Sequence, residues 1–511
     1  MASKTISKIL VANRGEIAMR VMRTCREMGI PTVAVYSDPD RTALHVRYAT
    51  EAYHIGAAAP RESYLNIDKI IDVAKRSGAD AIHPGYGFLS ENSDFARRLQ
   101  QEGITLIGPP AEAMDAMGTK TTARQHMARA GVPIVPGLEE AIEDEGKALS
   151  FAREIGFPVM LKAAAGGGGK GMRKVDREED FASAWRSAKS EARNSFADDA
   201  VYIEKFLEKP RHIEVQVFAD DHGNVHHLFE RECSVQRRHQ KVIEEAPSPF
   251  VDEEMRQAMG EVACKAARAV NYRGAGTIEF LVDAHRNFYF MEMNTRLQVE
   301  HPVTEMITGF DLVEAQIRVA RGEPLPWGMQ PSHPRGWAVE ARVCAEDASL
   351  NFVPTPGPIQ HVRHPGGPYV RTDSGIYRGF EITPDYDPMI AKIVAWGPTR
   401  EVAIRRLERA LSEYVIKGVT TNNMFLRQLL NYPEFMSGEY DTGIIGRFMD
   451  ESPSWQTEEH ETVAMLAAAF FLFEEERRAH ARVVAGKGTG GSATNNTGNW
   501  QRQLSARSLR W

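Results

Sequence analysis

Residues 276–302 read Gly-Thr-Ile-Glu-Phe-Leu-Val-Asp-Ala-His-Arg-Asn-Phe-Tyr-Phe-Met-Glu-Met-Asn-Thr-Arg-Leu-Gln-Val-Glu-His-Pro. Two strand-like runs, 276–283 and 288–292, flank the turn-like Ala284-His285-Arg286-Asn287, which is the pattern of a β-hairpin. If the four-residue turn closes with 283 opposite 288, Glu279 faces Glu292 across the ladder with Cβ atoms about 5 Å apart. Like charges so placed repel. A divalent cation between them removes the penalty, and an oxygen site with few protein ligands suits Mg²⁺ held together with a nucleotide's phosphates, Asn294 being a third oxygen donor. Beyond Glu292, the residues Asn294, Arg296, Gln298 and Glu300 recur at every second position, so an extended chain would set all of them on one face. Such a mixture of charges is costly to bury unless ions bind against it. A solvated edge strand, the bland alternative, favours Lys, Thr and Ser over this alternation.

Outward from this stretch, the first ~115 residues alternate strand and helix: a strand at Lys8–Ala12, a helix from about Gly15 to Met28, and strands at Thr32–Tyr36, Ala81–His83 and Thr105–Ile107. This pattern predicts a Rossmann-like, doubly wound parallel sheet. The first strand–helix turn, Ala12-Asn13-Arg14-Gly15-Glu16, lacks the three-glycine dinucleotide fingerprint, so no NAD site is inferred. The segment His83-Pro-Gly-Tyr-Gly-Phe-Leu-Ser-Glu-Asn92 sits at a carboxyl end of that sheet, where ligands bind, although a tight structural turn would read the same. From Met117 to about Pro334 the pattern is mixed α+β. A third unit follows to Asp450, with a strand at Trp337–Val343 and a helix from Thr399 that Gly418 is expected to stop. The last residues, 451–511, read as an Ala/Phe-rich helix, a Gly/Ser/Thr/Asn linker at Gly486–Gly498 and a peptide from Trp500 to Trp511, together a possible docking device for another subunit.

Composition narrows the function. With 62 basic and 69 acidic residues the chain has a net charge of −7, which gives no long-range attraction to nucleic acid or to acidic membranes. The four cysteines show no metal-ligand spacing, as expected in a reducing compartment. The first strand begins near Lys8, leaving no room for a secretion signal, and the longest apolar run, Val463 to Phe473, is 11 residues against the roughly 20 a membrane helix needs. A cytoplasmic protein is expected.

Phe157-Pro-Val-Met-Leu-Lys162 is a strand that runs into Gly166-Gly-Gly-Gly169-Lys170-Gly171, a glycine run whose backbone N–H groups can approach phosphate oxygens. The Walker spacing is absent. Lys162 and Lys120 add point charges for a polyphosphate. Val201–Leu207, a short hydrophobic strand broken by Glu204-Lys205, is a candidate hinge whose backbone meets an adenine edge. A salt-bridged edge strand is the equal alternative. Gln236-Arg237-Arg238-His239-Gln240-Lys241 packs basic groups that need anions. No aromatics interleave with them, so a small phosphate or bicarbonate suits better than nucleic acid.

With these residues in view, the chain resembles the biotin carboxylase family of the ATP-grasp superfamily over about residues 5–450. The motifs that carry the likeness are Ala12–Ala18, His83–Asn92, Lys162 with Gly166–Met172, Glu204-Lys205, Arg211-His212-Ile-Glu214, Gln236–Lys241 and Glu292–Pro302. The resemblance implies an α/β and α+β architecture: a Rossmann-like N-terminal domain (1–116), an ATP-grasp domain (117–334) with a glycine-rich lid at about 133–205, and a biotin carboxylase C-terminal domain (335–450). It implies a reaction in which ATP phosphorylates bicarbonate and the resulting carboxyphosphate carboxylates biotin on a carrier protein.

Carried onto this sequence, the resemblance assigns ATP to Lys120, Lys162, Gly168, Gly169 and the Glu204-Lys205-Phe206-Leu207 hinge, with His212, Gln236 and His239. It assigns Mg²⁺ or Mn²⁺ to Glu279, Glu292 and Asn294, and bicarbonate to Lys241, Arg296, Gln298 and the Val299 backbone. Glu300 is then the base, and Arg342 stabilises the biotin enolate. Ala165 and Lys170 stand where the family commonly has Gly and Arg. No Ala-Met-Lys-Met biotin-attachment sequence and no transferase-sized region are found, so a separate biotin carboxyl carrier protein, a carboxyltransferase subunit and at least a homodimer are expected. ATP-grasp carboxylate–amine ligases compete for the fold, but need neither the Arg296–Glu300 run nor Arg342.

Overall fold

The computed structural model of the chain describes residues 5–137, 144–163, 172–196 and 201–451, with a few more between 466 and 477. Residues Met1–Met449 form one compact unit and Asp450–Trp511 a second. In the second, Leu466, Phe470 and Phe473 are exposed on helix. The expected linker and the Trp500–Trp511 peptide lie outside the described residues, as do Gly168 and Gly169.

In the first unit, strands Glu51–Gly56, Thr32–Ser37, Ile9–Val11, Ala81–His83 and Thr105–Leu106 lie side by side in that order, all parallel. Ile9, Leu10 and Val11 are wholly buried, because helices cover both faces of such a sheet. Ile17, Val21 and Met22 of the helix Gly15–Glu27 pack on one of them. The edge strand Glu51–Gly56 had no clear period in the sequence, since its outer side chains, including Ala52 and His54, face solvent.

A larger, wholly antiparallel sheet carries the candidate site. Its eight strands run in the order Phe288–Asn294, Gly274–Val282, Arg211–Ala219, Val225–Arg237, Gln240–Ala246, Trp337–Cys344, Met389–Gly397 and Val370–Ser374. The sheet crosses residue 334 without a break, so Arg342 and Lys241 stand on neighbouring strands. A separate three-stranded sheet, Met172–Val175, Val159–Ala163 and Val201–Lys205, has its own core of Val159, Leu161, Phe181, Trp185 and Ile203.

Two local expectations are corrected. The helix from Thr399 spans Arg400–Glu413 and ends before Gly418, because Val415–Lys417 pairs as a strand with His361–Arg363. In the hairpin, Val282 rather than Asp283 faces Phe288, because the Asp283 carboxylate accepts the backbone N–H groups of His285 and Asn287 (2.8 and 2.9 Å) and so belongs to the turn. A bulge at Met291 then restores the phase, and Glu279 does face Glu292. The strand stops at Asn294, so residues 295–300 are not extended. Pro302 and the helix His301–Thr308 follow, with Glu300 at the N-cap position.

Candidate active site

Lys241 is the hub. It follows a two-residue turn in which Arg238 and His239 have φ of 50° and 66°, the twist that joins Val225–Arg237 tightly to Gln240–Ala246. Its ammonium lies 2.5 Å from Glu214 Oε2, 3.0 Å from Glu279 Oε1 and 2.5 Å from Glu300 Oε1. Burial works to strip its proton, but the three carboxylates outweigh burial and hold the Lys241 pKa well above its ordinary value.

Arg231, wholly buried on the Val225–Arg237 strand, frames the floor. Its five N–H donors meet Glu214 (2.5 Å), Gln216 (2.7 Å), Thr304 (3.0 Å), Thr277 (3.1 Å) and Gln298 Oε1 (2.7 Å). That fixes the Gln298 amide, whose Nε2 donates to Glu279 Oε1 at 2.8 Å. Asn294 Nδ2 donates to the same oxygen at 2.9 Å, and His212 Nε2 lies 3.1 Å from Glu279 Oε2. Burial would raise the Glu279 pKa, but Lys241 and His212 hold it well below the carboxylate range. The His212 ring, which burial would deprotonate, is held protonated to higher pH by Glu279. The chain's own cations therefore offset part of the Glu279–Glu292 repulsion that the sequence left to a metal alone.

Glu300 is buried between two cations, Lys241 on Oε1 and Arg342 Nη2 on Oε2 at 2.9 Å. Against the effect of burial, Lys241, Arg342 and Arg231 keep Glu300 ionised to well below the carboxylate range. Arg342 Nε also donates to Glu244 at 2.5 Å. Burial and the nearby Glu300 charge push Glu244 up to about 7 despite Arg342. Arg296 reaches Glu91 (2.8 Å) and Asn294 Oδ1 (2.7 Å), and Glu91 also accepts the Thr295 N–H at 2.8 Å. The His83–Asn92 segment thus touches the site through Glu91. His83 itself is structural: its Nδ1 accepts the Gly85 N–H, and burial lowers its pKa to about 4.

The structure joins Lys241, Glu279, Asn294, Gln298, Glu300, Arg342 and His212 by direct contacts, and Gln236 Nε2 meets His212 Nδ1 at 2.8 Å. Glu292 faces Glu279 in the ladder, and His239 is exposed in the turn beside Lys241. A second group stands on the three-stranded sheet, where Glu204 is ion-paired with both Lys162 and Arg124. Lys205 spends its ammonium on the carbonyls of Gly156 (2.9 Å) and Phe157 (3.2 Å), Phe206 lies under Lys174, and Leu207 is half-buried just past the strand. Only the backbone of Lys205 is left to meet a ligand. Lys120 is the first residue of the helix Lys120–Arg129. Glu279, Glu292 and Asn294 offer oxygen donors alone, a set that fits a hard divalent cation. Sequence reasoning gave no role to Glu214, Arg231, Glu244 or Glu91. Glu214 and Gln216 are polar residues inside the wholly buried Arg211–Ala219 strand, which was an available signal.

Three family models match the chain: the biotin carboxylase N-terminal domain over residues 5–114, the ATP binding domain of the carbamoyl-phosphate synthase L chain over 119–327, and the biotin carboxylase C-terminal domain over 340–447. Biotin carboxylase 1 of Bacillus subtilis is 53% identical over 438 residues, 86% of this chain and 97% of its own. The mitochondrial methylcrotonoyl-CoA carboxylase subunit alpha of Dictyostelium discoideum is 53% identical over 473 residues, 92% of this chain and 68% of its own. The solved biotin carboxylase domain dimer of Hydrogenobacter thermophilus 2-oxoglutarate carboxylase, in complex with MgADP, ADP and bicarbonate, superposes with a TM-score of 0.81 at 46% identity, covering 89% of this chain and 100% of that one. No helix among the described residues is long and apolar enough to cross a membrane.

Proposed function

Because the chain belongs to the biotin carboxylase family, we propose that it carboxylates biotin on a separate carrier protein at the expense of ATP and bicarbonate, as the first half-reaction of an acyl-CoA carboxylase. The observation that carries this reading is Glu300, a buried, ionised carboxylate held between the Lys241 ammonium and the Arg342 guanidinium. In this reading bicarbonate binds against Lys241, Arg296, Gln298 and the Val299 backbone. As Lys241 turns toward the new anion, Glu300 loses part of its stabilisation, becomes more basic, and takes the bicarbonate proton. The freed oxygen attacks the γ-phosphorus, the bridging P–O bond breaks, and ADP leaves with the electron pair.

Lys120, Lys162, Gly168, Gly169, His212, Gln236 and His239 hold ATP, with the Glu204–Leu207 segment at its base. Glu279, Glu292 and Asn294 hold Mg²⁺ or Mn²⁺, which when bound neutralises charge on the phosphates. Once carboxyphosphate has split and its phosphate has taken the ureido proton, the biotin nitrogen attacks the carboxyl carbon, and Arg342 stabilises the enolate oxygen. The division into 1–116, 117–334 and 335–450 belongs to this reading and is supported by the limits of the family matches.

A carrier, a carboxyltransferase subunit and a second copy of this chain complete the assembly. An acyl-CoA acceptor is favoured because the match to the methylcrotonoyl-CoA carboxylase subunit covers more of this chain than the match to biotin carboxylase 1. A two-subunit pyruvate carboxylase is the second reading, and reconstitution with either transferase separates them. The central test is ADP release by the full chain with ATP, Mg²⁺ and bicarbonate, with free biotin compared against ammonia, glutamine and D-alanine. Release that requires both biotin and bicarbonate is expected; release driven by an amine would move the chain to the ligases.

A further inference from the structure

Lys392 is a wholly buried lysine that the scheme above does not use. It sits in the middle of the strand Met389–Gly397, paired with Arg342 on one side and Asp373 on the other. An ammonium taken wholly out of water needs strong compensation. Its shortest contact is not a carboxylate: Nζ donates to the Val299 carbonyl at 2.7 Å, while Glu16 Oε1 lies at 3.3 Å and Asp373 Oδ2 at 4.0 Å. Glu16, at the start of the helix Gly15–Glu27, also accepts from the Tyr86 hydroxyl.

The Val299 carbonyl belongs to the peptide that joins Val299 to Glu300. The preceding carbonyl, that of Gln298, is held by His301 Nδ1 at 2.8 Å. Both peptides of the turn are thus pinned, one from the helix that follows it and one by a cation from a distant strand. The Glu300 carboxylate in turn is fixed at its far end by Lys241 and Arg342.

We propose that Lys392 is a positioning residue for bicarbonate activation: by clamping the Val299 carbonyl it aims the Val299 N–H and the Glu300 carboxylate, and Glu16 in the N-terminal sheet unit holds it there. The assignment rests on the roles proposed above for Val299 and Glu300. A displaced turn costs alignment of the base and of the anion's donor, so bicarbonate handling suffers while nucleotide binding, which rests on Lys162 and Glu204 of another sheet, does not.

The test compares the full chain with Lys392→Met and with the double variant Lys392→Met/Glu16→Gln, in which no carboxylate is left facing a lost cation. The readouts are the bicarbonate KM and kcat of biotin-dependent ADP release, the ATP dissociation constant and the melting temperature. Both variants are expected to raise the bicarbonate KM by about tenfold and to lower kcat by about tenfold or more, with ATP affinity unchanged. The double variant is expected to melt close to the parent. If the double variant regains both melting temperature and bicarbonate KM, Lys392 is only a strut and the inference falls; unchanged kinetics in Lys392→Met overturn it as well. Failure of the parent chain to release ADP in response to bicarbonate would overturn the reading of Glu300 itself, and this inference with it.

Discussion

Replacing Glu300 by Gln changes one oxygen to an amide nitrogen and leaves the volume of the side chain alone. The contacts at stake are the 2.5 Å bond from Lys241 and the 2.9 Å bond from Arg342. Neither cation is orphaned: Lys241 keeps Glu214 and Glu279, and Arg342 keeps Glu244. The glutamine oxygen still accepts from one of them. The loss is therefore that of one charge-assisted hydrogen bond, about 1.5–3 kcal/mol, rather than the about 3–5 kcal/mol that follows when a buried ion pair is broken and one partner is stranded. The variant should fold and melt a few degrees below the parent. Catalysis should suffer more. Removing a positioned base costs about 10²–10⁴ in rate, or about 3–5 kcal/mol of barrier. Bicarbonate-dependent ADP release with saturating ATP measures the rate, and calorimetric titration with a non-hydrolysable nucleotide measures binding. A Glu300→Gln chain that binds nucleotide and turns over within about threefold of the parent would refute the assignment of the base.

Three further outcomes are expected. Both carboxylate oxygens of Glu340 lack hydrogen-bond partners among the described residues, the side chain faces Glu244 across the ladder, and burial drives its pKa well above the carboxylate range. A folded pKa above the unfolded one gives stability that is complete below about pH 4.5 and is lost as pH rises toward the folded value, so Glu340→Gln should gain on the parent by about 1–2 kcal/mol at pH 8 and less at pH 5, read from denaturant midpoints at the two pH values. Glu279→Gln should raise the Mg²⁺ concentration for half-maximal turnover by about tenfold or more, because it removes a full charge from an all-oxygen donor set; an unchanged Mg²⁺ titration would take Glu279 out of the metal site. Arg231→Met strips acceptors from five partners at once and should cost about 3–5 kcal/mol, whereas Arg405→Met at the exposed Arg405–Glu401 pair should stay within about 0.5 kcal/mol, both measured by urea unfolding.

The parallel N-terminal sheet was legible because its strands are buried on both faces and read as short apolar runs between helical periods. Glu279 opposite Glu292 was legible too, although two offsetting irregularities produced it: a turn lengthened by Asp283 and a bulge at Met291. The alternation from Glu292 to Glu300 was misleading beyond Asn294, where the chain leaves the sheet and Glu300 is presented by the start of a helix rather than by a strand. The convergence of the site was not legible. Arg342 looks like any strand arginine, and only the pairing of Gln240–Ala246 with Trp337–Cys344, about a hundred residues apart, sets it beside Glu244 and Glu300. The basic cluster at 236–241 was read as needing foreign anions, yet Lys241 already has three carboxylates of its own chain, and Arg237 lies over Phe352 beside Glu346. Charge in a sequence reveals demand for a partner without saying which segment supplies it.

The most direct test of the central claim follows an oxygen atom. If Glu300 activates bicarbonate to attack ATP, bicarbonate enriched in ¹⁸O must leave one of its oxygens on phosphorus when carboxyphosphate breaks down, so the inorganic phosphate formed in a brief biotin-dependent turnover should carry one labelled oxygen for each ADP released. ADP released at the same rate with unlabelled phosphate would mean that water attacks ATP directly, and would contradict the account.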